Sequence, residues 1–122
     1  MEEIVVITGG TAGVGRAFAR RYARQGAKIA VLSTGLDELR ETAIDLVTRG
    51  AKSALVIPCD VANPEQLARA TSRIEQDLGP IDIWIDASPV EPHGGRRRAI
   101  WLGAAIASVM LGAVAVVFGV RR

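Results

Sequence analysis

The stretch from Val5 to Ala19, VVITGGTAGVGRAFA, most strongly constrains what this chain can fold into. It leads from an apolar, β-branched run through Gly9, Gly13 and Gly15 into a segment with helical spacing. Glycines at this junction permit a tight turn and a close approach of the backbone to a phosphate. The feature therefore predicts a βαβ unit that binds a nucleotide, with a tight turn that binds no ligand as the alternative.

Segments typical of strands and helices alternate through the first 86 residues. We expect strands at 3–8, 28–33, 53–58 and 81–85, and helices at 13–25, 37–49 and 64–79. Strands joined by helices of this length are typical of right-handed crossovers and a parallel sheet. The predicted fold is α/β, a three-layer sandwich with an incomplete parallel sheet in the order 3-2-1-4. This domain would cover residues 1–87.

The pattern ends after residue 87. Residues 88–98 are rich in proline, glycine and arginine and predict a linker. Residues 99–120 carry no charge, and as a helix these twenty-two residues would span about 33 Å. That length is sufficient for a hydrocarbon core of about 30 Å, so we expect a transmembrane helix at 99–120, with a buried core helix as the alternative.

The two ends of the chain predict where it is located. The start, MEEIVVITGG, has two glutamates where a secretory signal would have a basic region, so we expect a cytoplasmic folded domain. The chain would then be a membrane protein with a single-pass C-terminal anchor and the lipid bilayer as a partner. Small residues recur along this segment at Ala104, Ser108, Gly112, Ala115 and Gly119, which favours a homodimer through the helix. The alternative is that small residues are simply common in such helices.

The charge distribution disfavours nucleic acid as a partner. Residues 91–122 hold five arginines and one acid, so residues 1–90 carry ten basic and twelve acidic side chains. A nucleic-acid-binding domain would need a basic face on its folded part. Cys59 and His93 are the sole residues of their types, so we expect no intramolecular disulfide and no metal site.

Three motifs carry a family resemblance. They are TGGTAGVG at 8–15 followed by Arg16, PCDV at 58–61, and GPIDIWI at 79–85. Together they resemble the short-chain dehydrogenase/reductase family over about residues 3–86. The resemblance implies that residues 1–87 are a Rossmann-like NAD(P)-binding domain. It also implies an oxidoreductase that binds NAD(P)(H) through its glycine loop.

The resemblance also implies which residues contact the dinucleotide cofactor. The loop residues would surround the diphosphate and ribose, Asp60 would contact the adenine ring, and Val61 would line the adenine pocket. An alternative role for Asp60 is to cap a turn before Asn63. The implied cofactor-binding set is Gly9, Thr11, Gly13, Val14, Gly15, Ser33, Thr34, Asp60 and Val61.

Cofactor choice depends on the end of the second strand. An acid there would bind the ribose 2′-hydroxyl of NAD, and an arginine would receive the 2′-phosphate of NADP. This chain has Ser33 and Thr34. The absence of an acid removes repulsion against a phosphate, which slightly favours NADP and leaves NAD open.

The catalytic residues of the family have no counterpart in the sequence. The family has Asn-Asn-Ala-Gly after strand four, whereas residues 86–89 are Asp-Ala-Ser-Pro, and its catalytic serine and Tyr-x-x-x-Lys lie on later elements. The only tyrosine is Tyr22 and the only lysines are Lys28 and Lys52. We therefore predict a cofactor-binding half without catalytic residues, whose fourth strand is an open edge. The alternatives are a non-catalytic, membrane-tethered interaction module that uses that edge, and a truncated gene product.

Overall fold

The computed structural model describes residues 3–87 and 116–119. The elements are β1 (Ile4–Thr8), α1 (Gly13–Arg24), β2 (Lys28–Ser33), α2 (Leu36–Arg49), β3 (Ser53–Pro58), α3 (Pro64–Asp77), β4 (Ile83–Asp86) and β5 (Val116–Gly119). The sheet order is β3-β2-β1-β4-β5, with β1 to β4 parallel and β5 antiparallel to β4. This order confirms the predicted α/β class and the 3-2-1-4 arrangement.

Strand β1 lies at the centre of the sheet and is buried along its whole length. Its sequence IVVIT is apolar on both faces because helices cover both faces. On one side Val5 and Ile7 belong to a core formed with α1 and α2, and on the other side Val6 belongs to a core formed with α3. The domain therefore has the three layers that the sequence predicts.

Strand β4 begins two residues later than predicted because the chain before it is held by a side chain. The Ile4 amide donates to Asp82 Oδ2 at 3.0 Å, while the Asp82 amide donates to the Ile4 carbonyl at 2.9 Å. Regular pairing with β1 then extends from Ile83 to Asp86, which lies opposite Thr8.

The prediction of a helix throughout 99–120 is wrong for its last part, since Val116–Gly119 form β5. Residue Gly119 lies opposite Ile83, and Val116 lies opposite Asp86. The physical reason is that the outer edge of β4 has backbone groups that need partners, and a Val-Val-Phe sequence suits a strand. Strand β4 is consequently paired on both sides, which also corrects the prediction that it is an open edge.

The other C-terminal predictions lie outside the described residues: the linker at 88–98 and the remaining part of the predicted anchor, 99–115 and residue 120. Within 3–87 and 116–119, no helix is both long enough and apolar enough to cross a membrane.

Candidate functional site

The carboxyl ends of the four parallel strands meet at one edge of the sheet. Thr8, Ser33, Pro58 and Asp86 are the last residues of β1 to β4. From β1 the chain proceeds outward to β2 and β3, and it then returns through α3 to β4 on the other side of β1. The order of strands therefore reverses between β1 and β4, and in open α/β sheets ligands bind in the crevice at such a point.

The segment between β1 and α1 forms a tight loop at this crevice. Gly9 and Gly13 have φ values of 73° and 59°. The Gly9 amide donates to the Leu32 carbonyl at 3.0 Å, which attaches the loop to β2. The glycine spacing noted in the sequence thus produces a loop at the carboxyl edge of the sheet.

Gly15 allows the first turn of α1 to lie against this loop. A Cβ atom on Gly15 would overlap the carbonyl oxygen of Gly9 and would lie 3.0 Å from the Cα of Gly10. Gly10 itself lies against Val31 and Ile7, whose methyl carbons would be 3.0 and 3.1 Å from an added Cβ. Any side chain at position 15 would therefore displace the loop from the helix.

The N-terminus of α1 has no capping side chain. Its N-cap residue, Ala12, is extended, and the Arg16 amide donates to the Ala12 carbonyl at 3.3 Å. The amides of residues 13–15 precede that bond and have no acceptor within the helix. They are available to a ligand in the crevice.

The charge around this helix end suits an anion. The first turn of α1 contains no acid, whereas α2 begins with Asp37 and Glu38 and α3 has Asn63 as its cap and Glu65 in its first turn. The partial positive charge at the start of α1 is therefore not neutralised by a side chain of that turn. A close-packed glycine loop beside uncapped amides fits the diphosphate of a dinucleotide.

The structure brings the predicted site residues to the same edge of the sheet. Thr11 is half-buried within the loop, and Val14 is 46% exposed on the first turn of α1. The ends of β2 and β3 are joined by a hydrogen bond from the Cys59 amide to the Ser33 carbonyl at 2.8 Å, and Thr34 and Asp60 follow as exposed residues. Val61 packs against the core beneath α3.

Asp60 has the turn contacts that its alternative role requires. Its Oδ1 accepts a hydrogen bond from the Ala62 amide at 3.0 Å, and its own amide donates to Gln66 Oε1 at 2.8 Å. Asn63 caps α3, accepting from the amides of Glu65 and Gln66. Asp60 therefore organises the turn before α3, and its exposed carboxylate also lies at the carboxyl edge of the sheet.

Asp86 occupies the position of the first asparagine in the family pattern after strand four. The hydroxyl of Thr8, which is 1% exposed, donates to Asp86 Oδ1 at 2.8 Å, and the Ala87 amide donates to the Thr8 carbonyl at 2.9 Å. These bonds join the ends of β1 and β4 on either side of the crevice. The departure from the family pattern at residue 86 is visible in the sequence, whereas the contact with Thr8 is evident only in the structure.

The tyrosine and the lysines lie away from the glycine loop. Tyr22 is in the second half of α1 and packs against the core on that face. Lys28 begins β2 and Lys52 directly precedes β3, so both are at the opposite edge of the sheet. None of the three can supply a Tyr-x-x-x-Lys pair at the site.

The fold and the site define a Rossmann-like α/β domain of the dinucleotide-binding type. Residues 3–98 match the sequence model of the short chain dehydrogenases. The chain belongs to the short-chain dehydrogenase/reductase family.

Relatives and solved structures resemble the chain over about two thirds to three quarters of its length. The 2,3-dihydro-2,3-dihydroxybenzoate dehydrogenase of Bacillus subtilis (strain 168) is 36% identical over 88 residues, which cover 72% of this chain and 33% of that protein. L-Sorbose reductase from Gluconobacter frateurii, in complex with NADPH and L-sorbose, has a TM-score of 0.64 and 32% identity over 68% of this chain and 32% of its own. NAD+-bound xylitol dehydrogenase has a TM-score of 0.63 and 28% identity over 66% of this chain and 30% of its own. The chain thus spans about a third of the length of these relatives.

Proposed function

We propose that this chain binds NAD(P)(H) at the loop between β1 and α1. The observation that carries the proposal is the fit of Gly15 against Gly9 beside the uncapped amides of residues 13–15. The chain's similarity to a reductase bound to NADPH and to a dehydrogenase bound to NAD+ supports the same ligand class. When bound, such a cofactor supplies hydride chemistry.

Each predicted residue has a role in this proposal. Gly9, Thr11, Gly13, Val14 and Gly15 would hold the diphosphate and its ribose. Ser33 and Thr34 would contact the 2′ position of the adenine ribose, while Asp60 and Val61 would border the adenine ring. Backbone amides would provide most of the phosphate contacts, because the loop contains no cationic side chain.

Two features near the end of β2 act in opposite directions on cofactor choice. Ser33 and Thr34 place no negative charge at the strand end, which slightly favours NADP. The carboxylate of Glu38, however, lies over Gly35, the residue after Thr34, so closely that a Cβ on Gly35 would overlap Glu38 Oε1. A 2′-phosphate in this neighbourhood would be repelled by Glu38, and the balance between the two features decides between NADP and NAD.

We also propose that the chain performs no proton transfer of its own. A short-chain reductase needs a group that gives a proton to the substrate, and Tyr22, Lys28 and Lys52 all lie away from the loop. Purified chain mixed with NADPH and simple ketones should show no NADPH oxidation above the buffer rate. Turnover that persists in Tyr22→Phe would show that another residue does this work.

Membrane attachment is a separate proposal, and it rests on the uncharged sequence. As one helix, residues 99–120 would span about 33 Å, but a single pass would place 116–119 across the bilayer from β4, so the anchored form requires that β5 leave the sheet. We propose that in this anchored form residues 99–120 cross the membrane once, with the folded domain in the cytoplasm. Sedimentation with membranes after carbonate washing tests it, and release of the chain into the soluble fraction would contradict it.

For the anchored form, a homodimer through the helix follows as a proposal from the small residues Ala104, Ser108, Gly112, Ala115 and Gly119. Crosslinking of the membrane-bound chain should weaken in Gly112→Ile, because a bulky side chain prevents close approach of two helices. Val114→Ile on another face should leave crosslinking unchanged, and equal signals from the two variants would contradict the proposal.

An interaction module that uses an open edge of β4 is less favoured. Strand β5 pairs with β4 along its full length, so that edge has no unpaired strand to offer a partner.

The direct test of cofactor binding is calorimetric titration of the full 122-residue chain with NADPH and with NAD+. Saturable binding of either cofactor supports the proposal, and binding of neither at millimolar concentration would contradict it.

A further inference from the structure

A half-buried carboxylate joins α1 to α2. Asp45 of α2 accepts hydrogen bonds from Arg16 Nε at 3.1 Å and Arg20 Nε at 2.9 Å, both on α1, and from Arg49 Nε at 2.7 Å on its own helix. Burial opposes ionisation of Asp45, but the three guanidinium groups outweigh it and hold the pKa of this carboxyl well below its usual 3.8. Asp45 is therefore negatively charged at neutral pH.

Arg16 differs from the other two arginines because it also reaches the glycine loop. Its Nη1 donates to the Thr11 carbonyl oxygen at 2.9 Å, while its Nε remains on Asp45. A guanidinium group is a rigid planar fork, so the two bonds together fix its orientation. Arg20, one turn later, donates through Nε to the same Asp45 oxygen and makes no hydrogen bond to the loop.

The bond to Thr11 fixes a peptide plane at the point where the loop enters α1. The carbonyl of residue 11 and the amide of Ala12 point in opposite directions across a trans peptide. Holding the carbonyl toward Arg16 therefore holds the Ala12 amide away from Arg16. The other end of the loop is attached to β2 through the Gly9 amide. Arg16 therefore holds the end of the loop that is not bonded to the sheet.

We propose that Arg16 is a positioning residue for the cofactor loop, anchored in turn by Asp45. The proposal rests on the function proposed above, since it assigns Arg16 to the site between β1 and α1. A loop held in its binding conformation loses less conformational freedom when the ligand binds. Loss of the Arg16 bond should therefore weaken NADPH and NAD+ binding about tenfold, the effect of one charge-assisted hydrogen bond.

Arg16→Gln and Arg20→Gln form a matched pair in the full chain, because each removes one α1 bond to Asp45 and only the first removes the loop contact. Amide hydrogen exchange at Gly9 and at residue 16, whose amides have backbone acceptors at the two ends of the loop, should rise in Arg16→Gln without cofactor and stay at the parent level in Arg20→Gln. The dissociation constants for NADPH and NAD+ should rise in Arg16→Gln and stay at the parent level in Arg20→Gln. Both variants should lower the thermal midpoint of unfolding.

Arg16→Lys separates charge from geometry. An ammonium group keeps the attraction to Asp45 but lacks the fork that spans two acceptors. The thermal midpoint should therefore return toward the parent value, while amide exchange in the loop stays as high as in Arg16→Gln. Equal loop exchange in Arg16→Gln and Arg20→Gln, or full recovery of loop exchange by lysine, would overturn the proposal. If the parent binds no cofactor, the proposed function fails, and the exchange comparison still decides whether Arg16 holds the loop.

Discussion

Substitution of Gly15 by alanine should abolish most cofactor binding with little change elsewhere in the fold. The added Cβ would overlap the Gly9 carbonyl oxygen and approach the Gly10 Cα at 3.0 Å, and both are backbone atoms that cannot rotate away. The loop must therefore move away from the first turn of α1. The amides of residues 13–15 and the loop would no longer face a diphosphate together.

The size of the effect follows from the contacts that are lost. A hydrogen bond to a charged group contributes about 1.5–3 kcal/mol, so losing one amide-to-phosphate bond weakens binding roughly 10- to 150-fold. Calorimetric titration of parent and Gly15→Ala chains with NADPH and NAD+ measures this ratio directly. Circular dichroism and the thermal midpoint report whether the variant is folded.

Gly50→Ala provides the matched control. An added Cβ at Gly50 would lie 3.0 Å from the Ala23 carbonyl oxygen, and Gly50 has a φ of 124°, so this variant is also strained against a backbone oxygen. Gly50 follows α2, at the edge of the sheet opposite the loop. The variant Gly50→Ala should lower the thermal midpoint of unfolding without changing cofactor affinity. Similar losses of affinity in Gly15→Ala and Gly50→Ala would refute the assignment of Gly15 to the site.

The other predictions concern charge and the edge of the sheet. Glu38→Gln should raise the affinity for NADPH relative to NAD+ several-fold, because the Glu38 carboxylate lies over Gly35. Asp37→Asn is the control: Asp37 is one residue closer to the strand, but its substitution should change the ratio less. Asp45→Asn should lower stability by about 2 kcal/mol near neutral pH. Because the folded pKa of Asp45 is depressed, its contribution to stability is full above about pH 5 and is lost as the pH falls through 3.8 toward the lower folded pKa, so the stabilities of parent and variant should converge as the pH is lowered. Val117→Pro and Phe118→Pro differ in which backbone amide they remove, and since successive amides of a strand point to opposite sides, only one of them should speed amide exchange in β4.

Local sequence was sufficient to predict the parallel part of the fold. Each parallel strand is a short apolar run, and glycines directly follow β1 and α2, so the ends of these elements are marked along the chain itself. Strand β5 was not predictable in this way. An uncharged stretch suits a helix in lipid and a strand on a sheet equally well, and the free edge of β4 becomes evident only when the sheet is assembled.

The candidate site was predictable where its residues are contiguous. The glycine loop carries its own spacing signal, whereas Arg16 and Asp45 are separated by 29 residues and meet only through the packing of α1 on α2. The placement of Glu38 over Gly35 likewise depends on a side-chain conformation that sequence does not specify. A cation directly after the glycine motif was the one available signal for Arg16.

The most direct test of cofactor binding at the glycine loop is amide hydrogen exchange of the full chain with and without saturating NADPH or NAD+. The site between β1 and α1 predicts that protection appears at residues 9–15, most strongly at the amides of residues 13–15 at the start of α1. Unchanged exchange across residues 9–15 in the presence of both cofactors would contradict it.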